Sequence, residues 1–116
     1  MANKASYLGE FEQVVLLSIL SLKDNAYGVT IRQNLQQSIG RYVSIGALYS
    51  TAERLEKKGL LTSKKSGATA ERGGKAKRYF NVTPSGIESL QDTKKQLETL
   101  WQNANISLLT TIGGEA

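Results

Sequence analysis

The side chains that most often do acid/base, nucleophilic or metal chemistry are missing: the sequence holds no histidine and no cysteine. That removes the commonest general base, the commonest transition-metal ligand, thiolate metal sites and disulfides. The ten acidic residues are scattered, with no two in an acid/base arrangement, so neither catalysis nor a bound metal or other cofactor is expected. What remains is charge. Between Arg54 and Arg78 lie nine of the fifteen lysines and arginines and only two acids, a net of +7. The whole chain carries +5, so everything else sums to −2. Positive charge clustered in this way favours a polyanionic partner.

The elements that must position those cations follow from the apolar pattern. A chain of 116 residues is the usual size of one domain. Leu8, Phe11, Val15 and Ile19 recur at helical spacing and predict a helix over 8–22, with Val14, Leu17, Leu20 and Leu22 widening its apolar stripe. A stripe so broad suggests burial against a second subunit as well as the helix's own domain. The longest apolar run, Val14 to Leu22, is broken by Ser18 and Ser21 and falls short of the ~20 residues a membrane helix needs. The first residues lack the apolar core of a signal peptide, so no membrane association and a cytoplasmic location are the expectation.

Beyond a break at Asp24, Asn25 and Gly28, a second helix is predicted over Val29 to Gln37, stopped by Gly40. Ser44 is a good N-cap for a third over Ile45 to Lys58, with Ile45, Leu48, Ala52 and Leu55 on its buried stripe and Gly59 as its stop. Short strands are expected at Leu60 to Ser66 and Lys77 to Thr83, joined by a Gly-rich loop. Thr83-Pro84 then opens a helix reaching about Leu109. Its residues Ile87, Leu90, Lys94, Leu97, Trp101, Ala104 and Leu108 alternate steps of 3 and 4, the spacing of a coiled-coil seam.

Three helices, a hairpin and a closing helix make a mainly α chain with a small β-hairpin: a winged helix-turn-helix plus a long C-terminal dimerisation helix. Residues 8–83 would bind double-stranded DNA, and 84–110 would join two copies. In such a fold the second helix of the pair enters the major groove by its N-terminal end. Here that end carries Ser44, Gly46, Ala47 and Ser50, short side chains that let the backbone come close. Tyr49 is expected on the same outward face, its hydroxyl donating to a phosphate; the alternative is a tyrosine that caps the core edge. Glu53 could accept from a cytosine amino group or pair with a neighbouring cation.

The wing supplies Lys64, Lys65, Arg72, Lys75, Lys77 and Arg78. Lys65 and Lys77 flank the loop and Arg72 and Lys75 lie in it, so these are the expected phosphate or minor-groove contacts. Arg78 either joins them or braces the hairpin. Phe11 and Val15 of the first helix, with Leu90, Leu97, Trp101, Ala104 and Leu108 of the last, are the expected homodimer contacts. A different class of function, a winged helix docking its wing on an acidic protein, fits the same charge pattern. Retardation of a duplex in a gel separates the two.

The run GALYSTAERLEKKGLL from Gly46 to Leu61, with RGGKAKRYFNVTPSGIESL from Arg72 to Leu90, resembles the PadR family of bacterial transcriptional regulators. The opening Leu8 to Leu35 is similar to that family's first two helices, so the likeness runs to about Leu109. The resemblance implies a homodimeric repressor on a pseudo-palindromic operator, with Tyr49 as the DNA-contacting tyrosine and Lys75, Lys77 and Arg78 as wing cations. Many relatives have Thr and Pro flanking the Leu-Tyr pair where this chain has Ala47 and Ser50. A single helix after the wing is similar to the family's compact branch. In some compact relatives a planar ligand stacks on tryptophans at the dimer centre, and Trp101 matches such a position.

Overall fold

The computed structural model describes residues 7–66 and 77–105. Helix α1 spans Glu10–Leu22, followed by one 3-10 turn, then α2 over Gly28–Ile39 and α3 over Ile45–Lys57. Strands β1 (Leu61–Ser66) and β2 (Lys77–Val82) pair antiparallel, and α4 runs over Pro84–Ala104. The expected elements are all present, but α1 begins at Glu10, α2 is longer at both ends, α3 ends one residue earlier, each strand is one residue shorter, and α4 closes at Ala104, short of the expected Leu109. Arg72, Lys75 and Leu108 lie outside the described residues.

Each boundary has a local cause. The Gly9 N–H donates to Glu12 Oε1 at 2.9 Å, and the Tyr27 N–H donates to Thr30 Oγ1 at 3.0 Å, satisfying donors at the starts of α1 and α2. Ser44 and Thr83 cap α3 and α4 by accepting from Ala47 N–H at 3.1 Å and Gly86 N–H at 3.0 Å. Gly40, with φ +65°, adopts the left-handed conformation that closes α2, and its N–H donates to the Gln36 carbonyl at 2.9 Å.

The core fills with Val15, Leu16, Ile19, Ile31, Leu48, Leu55, Leu61 and Phe80. Ser18 is buried with them and donates to Asn34 Oδ1 at 2.7 Å, joining α1 to α2. Strand β2 is also stitched to the segment before α2, since Phe80 N–H donates to the Ala26 carbonyl at 2.9 Å. At the base of the hairpin α4 comes too close for any side chain. A Cβ on Gly86 would sit 2.4 Å from the Leu60 carbonyl oxygen and 2.7 Å from Val82 Cγ1.

One expected core position is corrected. Ile45 is 43% exposed, and Thr51 is buried with Leu48, Ala52 and Leu55 instead. The first turn of α3 overhangs the core, so the stripe begins one turn later than its 3-and-4 spacing implied.

Candidate nucleic-acid interface

The leading end of α3 is open. Ser44, Gly46, Ala47 and Ser50 are all exposed, and a Cβ added at Gly46 would meet nothing within 4 Å. Nothing in the subunit therefore requires glycine there; its effect is to bare the backbone to whatever approaches the helix.

Tyr49 does not stand clear on that face. It is half-buried, with its ring centroid 6.2 Å from that of Phe80. Its hydroxyl reaches the first residue of α2: a Cβ on Gly28 would lie 2.9 Å from it and 3.3 Å from Ile45 Cδ1. The hydroxyl has no hydrogen-bond partner among the described residues, whose bonds are made by other side chains. Gly28 thus brings the N-terminal ends of α2 and α3 together with a free tyrosine hydroxyl between them. Both helix dipoles favour an anion at that edge.

The hairpin adds a cation there. Lys77 Nζ lies 4.6 Å from the Tyr27 ring centroid, and the Tyr27 ring packs at a 59° tilt against Tyr79, with centroids 5.2 Å apart. Strand register sorts the remaining cations. Lys64 is opposite Tyr79 and Lys65 is opposite Arg78, so Lys64 shares a face with Lys77 while Lys65 lies on the other. Lys65 and Lys77, grouped together in the sequence, therefore cannot grip the same edge of a ligand. Tyr27, Tyr79 and Lys64 were not among the expected contacts. Alternation along the strands would have linked Lys64 to Lys77 had the register been known.

Arg78 resolves to the brace. Its Nε donates to Ser63 Oγ at 2.9 Å, its Nη2 meets Glu56 Oε1 at 3.1 Å, and its guanidinium lies 5.5 Å from the Phe80 ring centroid. It fastens the hairpin to α3, so its guanidinium is engaged within the subunit. Two more cations of the basic stretch are also engaged. Lys58 Nζ and Arg54 Nε lie 3.0 and 3.7 Å from Glu12 Oε2. Burial pushes the Glu12 carboxyl up, but the Gly9 N–H, Lys58 and Arg54 outweigh it and hold the group below the usual carboxylate range. Lys57, Lys64, Lys65 and Lys77 make no ion pair among the described residues. Glu53 likewise has none, so its expected pairing with a cation is absent there.

A second feature lies between α1 and α4. Leu17 and Leu20 of α1 face Ile87, Leu90, Leu97 and Trp101 of α4 across a groove of about 510 Å³. Trp101 is 62% exposed, and Leu17, Leu97 and the neighbouring Leu100 are exposed as well. Ala104 is exposed and lies beyond the groove lining. One of the two expected α1 contacts, Val15, needs correcting. Val15 is fully enclosed in its own core, and Phe11 is half-buried beneath the Arg41 guanidinium, 5.2 Å from its ring centroid. The stripe on α1 is wide enough to have two sides, and Leu17 and Leu20 are on the outer one.

No helix among the described residues is long and apolar enough to cross a membrane, and none of their acidic residues cluster to hold a metal ion.

Comparison with known proteins agrees with this architecture. Residues 16–92 match the family described as the transcriptional regulator PadR-like family. A transcriptional regulator of Mycobacterium tuberculosis is 35% identical over 94 residues, spanning 78% of this chain and 83% of that relative. The crystal structure of a PadR family transcription regulator from Clostridium difficile is similar with a TM-score of 0.66 and 26% identity, over 84% of this chain and 98% of the other. A PadR family transcriptional regulator from Eggerthella lenta gives a TM-score of 0.67 and 26% identity, over 85% and 86% of the two chains. The exposed helix tip, the cationic hairpin and these likenesses together place the chain in the PadR-like family of DNA-binding transcriptional regulators.

Proposed function

We propose that this regulator is a homodimeric repressor that lays the leading end of α3 into the major groove of a pseudo-palindromic operator. The carrying observation is the meeting of the α2 and α3 N-terminal ends at Gly28, with the Tyr49 hydroxyl and the Lys77 ammonium beside them. Ser44, Gly46 and Ser50 approach the bases, Tyr49 donates to a phosphate, and Lys64 and Lys77 grip the backbone from one face of the hairpin. Lys65 reaches from the other face, and Arg72 and Lys75, which lie between the two strands in the sequence, add positive charge. With few long polar side chains at the helix tip, DNA shape and bridging water carry part of the specificity.

Two copies join through α1 and α4. An apolar groove flanked by an exposed tryptophan and leucines supports this, since single subunits rarely leave such a surface uncovered. Two-fold symmetry then sets the half-sites roughly 10 bp apart, or a multiple of that. A small planar aromatic ligand stacked on Trp101 would relieve repression by favouring a dimer whose α3 helices are wrongly spaced.

The test is retardation of duplexes selected from a genomic pool, run with sizing at micromolar concentration. A two-copy species that shifts a discrete set of palindromic duplexes is expected. A single-copy species indifferent to every duplex in dilute buffer would refute the reading. Trp101 is the only tryptophan, so quenching of its emission by planar cationic dyes reports directly on the ligand site. No quenching by any of them would remove that part of the proposal.

A further inference from the structure

A second cleft, of about 450 Å³, lies between the outer face of α2 and the turn into α3, and no described hairpin residue lines it. Its walls are Val29, Arg32, Gln33, Gln36, Tyr42 and Ser44, with the buried Val43 beneath. Among the described residues no carboxylate lines it, and its polar groups can all donate hydrogen bonds around a single guanidinium. Ser44 is also the cap of α3, so the cleft opens directly beside the helix end assigned to the groove.

Tyr42 is the most informative wall. It is 81% exposed, yet the backbone on either side of it is fastened. Arg41 makes a bidentate pair with Glu10 at 2.7 and 3.0 Å, and the carbonyl of Val43 accepts from Arg32 Nε at 2.8 Å. The Tyr42 hydroxyl accepts from Gln36 Nε2 at 3.1 Å, which leaves its own proton to be donated outward. The terminal nitrogens of Arg32 have no acceptor among the described residues. With its flanking residues anchored and its hydroxyl already bonded to Gln36, this aromatic has less freedom to lose on binding.

We infer that this cleft holds a second backbone phosphate of the operator, separate from those gripped by the hairpin, with the Tyr42 hydroxyl and the Gln33 amide as neutral donors beside Arg32. The inference rests on the DNA-binding reading above and adds a contact of a different physical kind. A helix in the major groove lies between two sugar-phosphate strands, and tyrosine and glutamine are common donors to them. Cations release counterions on binding and set the salt dependence, whereas neutral donors add affinity without steepening it.

The experiment compares the parent chain with a Tyr42→Phe, Gln33→Ala double variant on a duplex the parent selects, by anisotropy titration over a range of salt. With two donors lost from each of two subunits, the variant is expected to bind at least about a hundredfold more weakly with an unchanged salt slope. Replacing one phosphate per half-site by a neutral methylphosphonate should weaken the parent more than the variant, which keeps only the Arg32 contact to lose. A variant as tight as the parent, a flattened slope, or an equal methylphosphonate loss in both proteins would overturn the inference while leaving the DNA-binding reading intact. A parent that holds no duplex would bring down that reading, and this one with it.

Discussion

Lys58, at the end of α3, sets its ammonium 3.0 Å from a carboxylate oxygen of Glu12, forty-six residues earlier at the start of α1. The contact locks the C-terminal end of the proposed reading helix against the first helix. Arg54 approaches the same oxygen, and the Gly9 N–H takes the other. Glu12→Gln should therefore lower stability by about 1–2 kcal/mol at neutral pH, less than for a fully buried pair because Lys58 and Arg54 regain water. The depressed native pKa of Glu12 fixes the sign: the stabilisation is present above the ordinary value and is lost as pH falls through the native one. Denaturant midpoints of parent and variant should differ at pH 7 and converge under acid conditions.

Two glycines should respond in opposite ways to alanine. Gly86→Ala drives a methyl into the Leu60 carbonyl and the Val82 side chain, and should cost about 2–3 kcal/mol in urea unfolding. Gly46→Ala enters open space and should raise stability by up to about 1 kcal/mol through helix propensity. On DNA the second variant should nonetheless bind less tightly, because its methyl sits where the backbone is bared. A Gly46→Ala protein that binds as well as the parent would argue against close approach at that turn.

Tyr49→Phe removes a hydroxyl that no described residue uses and keeps the ring against Phe80. Its melting temperature should match the parent's while its operator affinity drops roughly a hundredfold, the scale of one lost hydrogen bond to a charged group in each of two subunits. Equal affinity would return Tyr49 to the role of a residue that seals the core edge.

Lys64→Ala with Lys77→Ala should weaken binding to all sequences alike and lower the salt slope by about 0.9 for each phosphate contact removed. Arg78→Ala should behave differently. It frees Glu56 and Ser63, so it should loosen the hairpin and lower the unfolding midpoint, with affinity recovering on cooling. Parallel salt titrations and melts of the two proteins separate a contact from a brace.

The order of elements and most of their ends were readable because each depends on neighbours in the chain. Ser44 and Thr83 cap the helices expected of them, and Gly40 takes the conformation that ends α2. The site was less legible wherever a residue's role depends on something distant. Whether Arg78 faces DNA or Glu56 turns on how the hairpin lies against α3, and periodicity carries no trace of that packing. The separation of Lys65 from Lys77 needs the strand register, which composition does not reveal. On α1 the broad stripe is evident in the sequence, but which side is enclosed follows only once α2, α3 and α4 are placed, with Val15 inward and Leu17 and Leu20 outward.

Three positive groups of the basic stretch, Arg54, Lys58 and Arg78, already face acids of their own subunit. Fewer are left to hold an arbitrary stretch of chromosome than a count of lysines and arginines suggests. Loose, brief encounters with unrelated sequence would follow, and a scarce protein that detaches readily can survey more of a genome before it meets its target.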